Sequence, residues 1–98
     1  MLLILILTMA ATGLPAAPVD PAPAASARLD QPREARLVLD GRRWACDDQG
    51  ACIGRGGGAA QPVLRECRRF VARFGPVAAF ARDGAALGPT DLGRCNAR

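Results

Sequence analysis

A chain of 98 residues carrying 13 basic and 9 acidic residues, net charge +4, holds one small domain and has no length for a second. Half of its residues are hydrophobic but only 4% are aromatic, and a domain this small buries only about 60% of its unfolded surface, so it needs a cross-link, a metal or a partner. Every basic residue is arginine, histidine and tyrosine are absent, and past Ala27 the sole hydroxyl side chain is Thr90, which excludes catalysis by a hydroxyl nucleophile beside an imidazole or amine base.

The chain opens on an apolar run from Leu2 to Met9, extended weakly to Leu14 before Pro15 interrupts. That length suits the core of an export signal and falls short of the roughly 18 to 20 residues a spanning helix needs. Small residues at alternate positions offer cleavage after Ala24 or after Ala27, and Ala25-Ser26-Ala27 is the cleaner match. Residues 1–27 are therefore expected to be a signal peptide, 28–34 a flexible leader and 35–98 the folded domain. The product is expected to be periplasmic or secreted, without a permanent membrane span. Removal of Asp20 with the signal raises the net charge by one.

Order is expected from Ala35 onward. Leu37 to Trp44 is broken by Asp40-Gly41, the pair that supplies the positive φ angles of a two-residue type I′ hairpin turn. Pairing about that turn sets Leu39 opposite Arg42 and Leu37 opposite Trp44, and alternation puts Leu37, Leu39, Trp44 and Cys46 on one face. Trp44 is thereby a core residue and not a ligand-stacking platform. After the turn Asp47–Ala51, a short strand at Cys52-Ile53 is expected to fail at Gly54, with Arg55 to Gly58 as a connector.

From Pro62 to Phe74 the apolar spacing becomes three and four: Val63, Leu64, Cys67, Phe70, Val71 and Phe74 share one face of a helix, and Arg65, Arg69 and Arg73 fall opposite. Val77 to Arg82 reads as a strand, Asp83-Gly84 repeats the hairpin signal, and Gly88-Pro89 opens a last helix with Leu92 and Cys95 on one side. Gly93 weakens that helix. The fold class expected is α+β: a small disulfide-stabilised domain in the order β-β-β-α-β-β-α, with short antiparallel hairpins packed on two helices.

Cys46, Cys52, Cys67 and Cys95 permit three pairings. Cys46 and Cys52 flank a five-residue turn on neighbouring strands, while Cys67 and Cys95 face inward from separate helices, which favours Cys46 with Cys52 and Cys67 with Cys95. A four-cysteine zinc site is disfavoured because no Cys-x-x-Cys and no histidine is present. The same missing spacing argues against redox catalysis. No cofactor and no metal is expected.

Carboxylates alone remain for acid–base work, and a carboxylate-dependent hydrolase acting on envelope glycan is the alternative function. Asp40 and Asp83 have turn duties, however, and Asp91 lies in a helix first turn. Gly54-Arg55-Gly56 lacks the Lys-Ser/Thr and strand-to-helix setting of a phosphate loop. Arg65, Arg69 and Arg73, like charges at successive i, i+4 positions, form the candidate anion-binding surface. The partners in view are an anionic envelope component or an acidic protein face; nucleic acid is not expected without aromatic residues there.

The chain resembles a family of small uncharacterised exported four-cysteine proteins of alphaproteobacteria. The likeness lies in Val38 to Cys46, in Cys52, in Glu66 to Phe80 with its Phe74-Gly75-Pro76-Val77, and in Leu92 to Asn96, over roughly residues 28–98. It implies export and a cysteine framework and assigns no activity. The function expected is a non-catalytic binding or structural component of the bacterial envelope.

Overall fold

The computed structural model describes residues 23–57 and 60–97; the apolar run of the expected signal and Gly58 of the connector lie outside them. Six strands form one antiparallel sheet, ordered β2-β3-β4-β1-β5-β6. They are β1 Ala25–Leu29, β2 Ala35–Leu39, β3 Arg42–Cys46, β4 Ala51–Gly56, β5 Val77–Arg82 and β6 Ala85–Ala86. Helix α1, Val63–Phe74, links β4 to β5, and α2, Pro89–Asn96, closes the chain. Because β1 lies between β4 and β5 and is antiparallel to both, those two strands run parallel, with α1 as the crossover between them.

The hairpins form where the sequence places them. Asp40 and Gly41 adopt φ of 52° and 79°, and Asp83 and Gly84 adopt 53° and 79°, the left-handed pair that lets two residues reverse a twisted ladder. Leu39 pairs with Arg42 and Leu37 with Trp44, in the expected register. Pro62 stands at the N-cap of α1, and Gly88 and Pro89 open α2. Gly75, at φ 99°, ends α1 in a conformation that other residues rarely adopt.

Two expectations need correction. The first is the flexible leader at residues 28–34 and the boundary after Ala27. Ala25–Leu29 is a central strand paired on both edges, with Ala25, Ala27 and Leu29 buried, and a cut after Ala27 would sever it. Alternation is present there, but alanines supply two of its three inward positions, so it reads as a cleavage motif and not as a strand. Ser26 consequently belongs to the folded domain as a second hydroxyl beside Thr90.

The second correction is the early end of the third expected strand. β4 continues through Gly54 to Gly56, because Gly54 is where the ladder passes over Trp44 and Arg42. A Cβ built there would sit 2.7 Å from Arg42 Cδ and 2.9 Å from Trp44 Cε2. Gly54→Ala is expected to destabilise the domain by about 1 to 3 kcal/mol, the range for overpacking a filled interior, and a urea denaturation midpoint reads it.

Both helices pack on one face of the sheet. Trp44 lies at the centre, 4.5 Å from the Phe70 ring centroid and 5.9 Å from that of Phe80, while Phe74 stacks on Phe70. Its Nε1 is buried with no hydrogen-bond partner among the described residues, so the ring is held by packing alone. Disulfides join Cys46 to Cys52 across β3 and β4 and Cys67 to Cys95 between α1 and α2, and all four cysteines belong to the core.

Candidate functional site

With every cysteine oxidised, no thiolate nucleophile is available. Among the described residues no group of three or more His, Cys, Asp or Glu side chains gathers at metal-binding spacing. The carboxylates are dispersed over separate duties. Asp47 Oδ1 accepts hydrogen bonds from the Gln49 and Ala51 amides at 2.9 and 3.0 Å, which builds the β3–β4 turn. Asp83 sits in the β5–β6 turn, and Asp91 lies in the first turn of α2, 3.7 Å from Arg94. Glu34 and Asp47 are the two carboxylates that line a common trough, and the Asp47 carboxylate is engaged by its own turn.

Glu66 has a different setting, which sequence reasoning missed. It is 2% exposed, as is Arg42, and the two are joined by a fork: Arg42 Nε donates to Oε2 at 2.6 Å and Nη2 to Oε1 at 3.1 Å. Arg42 Nη1 donates to the Gly56 carbonyl at 2.9 Å, and Arg82 Nη1 donates to Glu66 Oε1 at 3.2 Å and to the Gln61 carbonyl. Two guanidiniums thus enclose one carboxylate where β3, β4, β5 and the N-terminal turn of α1 meet. The signals existed: Arg42 shares strand parity with Trp44 and Cys46, and Glu66 is three residues after Val63 and four before Phe70. Fully donated to and shut off from solvent, Glu66 is a structural anion with no access to a substrate.

The candidate anion-binding residues Arg65, Arg69 and Arg73 are all exposed on α1. They are not equivalent. Arg69 Nε and Nη2 donate to the two Asp40 oxygens at 2.7 and 3.0 Å, so the turn carboxylate of the β2–β3 hairpin already occupies that guanidinium. Arg73 presents its backbone carbonyl to Arg33 Nη2 at 2.9 Å.

The fork from Arg69 holds the Asp40 carboxyl below the ordinary aspartate range, aided by a hydrogen bond from Gln61, and Asp40 in turn raises the Arg69 guanidinium. A lowered folded-state value means that the contact stabilises the fold above the ordinary aspartate range and fades as pH falls through the folded value. Arg69→Gln is expected to return Asp40 toward ordinary titration. Carboxyl-carbon NMR against pH would show this, and an unchanged Asp40 curve would refute the pairing.

The second arginine surface is the sheet face opposite the helices. Arg28, Arg36, Arg43 and Arg55 project there, and no strand contains an aspartate or glutamate. Val38 at 66% and Ile53 at 42% exposure, the two large apolar side chains left in solvent among the described residues, lie on the same face. A trough of about 820 Å³ lies against β2, β3 and β4 there, its lining including Arg36, Arg43, Ala45 and Ile53 together with Glu34 and Asp47.

The class that these features define is a small disulfide-linked α+β domain, arginine-rich on two faces. The chain belongs to a family of unknown function, DUF8200, whose model matches residues 5–97. Neither a curated protein nor a solved structure matches it.

Proposed function

We propose that this protein is exported, resides in the periplasm or outside the cell of an alphaproteobacterium, and serves the envelope as a non-catalytic binding or structural component with an anionic partner. The observation that carries this reading is the division of charge. Arginines cover both the α1 face and the outer sheet face, while Asp40 and Asp47 are engaged at turns, Asp91 at a helix start and Glu66 in the buried cluster. Such a surface attracts anions.

Two disulfides suit an oxidising compartment, and among the described residues no helix is long and apolar enough to cross a membrane. Signal cleavage belongs upstream of β1, which favours Ala22-Pro23-Ala24 over the site after Ala27. Cell fractionation with intact-mass measurement tests the reading. We expect oxidised protein in the envelope fraction, released by salt, with a first residue no later than Ala25. Reduced protein confined to the cytosol would overturn export, and glycan turnover abolished by one acidic substitution would replace the binding role with hydrolysis.

A further inference from the structure

The geometry points to the outer face of the sheet, not the α1 arginine row, as a docking surface for the anionic phospholipid headgroups of a bilayer. This deepens the envelope reading above and rests on it. The ladder register shows how the face is composed. Val38 pairs with Arg43, and Arg43 with Arg55, so one cross-strand row nearest the Asp40-Gly41 turn combines an apolar side chain with two guanidiniums. The next row runs Arg36, Ala45, Ile53, Ser26 and Ala81. Carboxylates enter only at the opposite end, where Glu34 and Asp47 flank the trough. Among the described residues Arg28, Arg36 and Arg43 make no ion pair. Arg28, Arg36 and Arg43 thus present guanidinium forks that suit phosphate oxygens.

The α1 row is the weaker candidate, because Asp40 already holds Arg69 through both oxygens. The apolar component selects among anions. A soluble polyanion needs charge alone, and single-stranded nucleic acid favours exposed aromatic platforms; here Trp44, Phe70, Phe74 and Phe80 are all buried. Val38 and Ile53 standing among arginines fit an interface whose phosphates lie just above acyl chains, where basic residues meet the headgroups and aliphatic ones enter the boundary.

Co-sedimentation of the mature exported protein, oxidised, with phosphatidylcholine vesicles, with and without phosphatidylglycerol, tests the assignment. The readout is the gain on adding the anionic lipid. Arg36, Arg43, Val38 and Ile53 are exposed, and their replacement leaves the core intact, which circular dichroism checks. Arg36→Gln with Arg43→Gln is expected to weaken the anionic gain by about twenty-five-fold, near fivefold for each charge. Val38→Ser with Ile53→Ser weakens vesicle binding while leaving retention on an immobilised acidic polysaccharide unchanged. Arg65→Gln with Arg69→Gln and Arg73→Gln changes the gain by less than the sheet pair.

The assignment is overturned if the sheet arginine pair has no effect, or if the α1 triple variant has the larger one. It is also overturned if the Val38 and Ile53 variant binds vesicles as well as the parent, which would make the ligand a soluble polyanion. Protein that is released from the envelope by salt yet ignores anionic vesicles would remove the lipid assignment and leave the envelope role standing.

Discussion

Glu66→Gln is expected to lower the stability of the domain by about 3 to 5 kcal/mol, the loss that follows when one partner of a buried ion pair is removed. The magnitude comes from what remains. The Arg42 guanidinium is 2% exposed, so without the carboxylate's charge it keeps its desolvation cost, with only one amide oxygen and the Gly56 carbonyl as acceptors. The glutamine amide also aims donors at a site already filled by donors. Since small domains hold total stabilities of only about 5 to 15 kcal/mol, the variant should sit close to unfolding. Urea titration of tryptophan fluorescence reads it directly, because Trp44 lies beside Arg42 over Gly54.

Arg42→Met combined with Glu66→Leu is expected to be milder than either single change, since the fully buried guanidinium leaves together with its carboxylate, and Arg82, with its side chain 14% exposed, retains the Gln61 carbonyl. Single and double variants with equal losses would show that the cluster acts by packing and not by charge. A buried ion pair contributes little net stability over apolar replacements, so its service here is geometric: it fixes the start of α1 over the ends of β3, β4 and β5.

The parts of the fold that were legible in the sequence are those written in strong local signals. Asp40-Gly41 and Asp83-Gly84 dictate left-handed turns and hence register, and the spacing of three and four from Val63 to Phe74 dictates α1. Ala25–Leu29 was not legible, because its inward positions are mainly alanine and the strand is stabilised by neighbours on both sides that are distant in sequence. Gly54 reads as a breaker and is instead a close-approach position. Of the candidate surface, the α1 arginines follow from helical periodicity alone. The outer sheet face needs β1, β3 and β4 placed side by side, and the capture of Arg69 by Asp40 needs the hairpin folded back onto the helix.

Removing the Cys67–Cys95 cross-link should cost more than removing Cys46–Cys52. The chain-entropy account gives roughly 3.6 kcal/mol for the closure over a separation of 28, against roughly 2.4 kcal/mol for a separation of 6. Native contacts widen the gap. The β3–β4 turn is held independently by the strand ladder and by the Asp47 carboxylate. Helix α2 spans only Pro89–Asn96, includes Gly93, and lacks a side-chain N-cap, so it is too short to persist unaided. Its other anchors are the partly buried Leu92 and the Asn96 side chain, which accepts from the Val77 amide at 2.9 Å and donates to the Val77 carbonyl at 2.8 Å.

Cys67→Ala with Cys95→Ala is therefore expected to free α2 and uncover Phe74, Val77 and Phe80, whereas Cys46→Ala with Cys52→Ala should lower the urea midpoint without selective loss of any element. Pairwise replacement avoids a stray thiol in either case. Amide exchange separates the two outcomes, since early exchange confined to residues 89–96 appears only if the α1–α2 staple is what retains the helix. A larger midpoint loss in the β3–β4 pair variant would show that hairpin closure, and not helix retention, is the principal service of the disulfides.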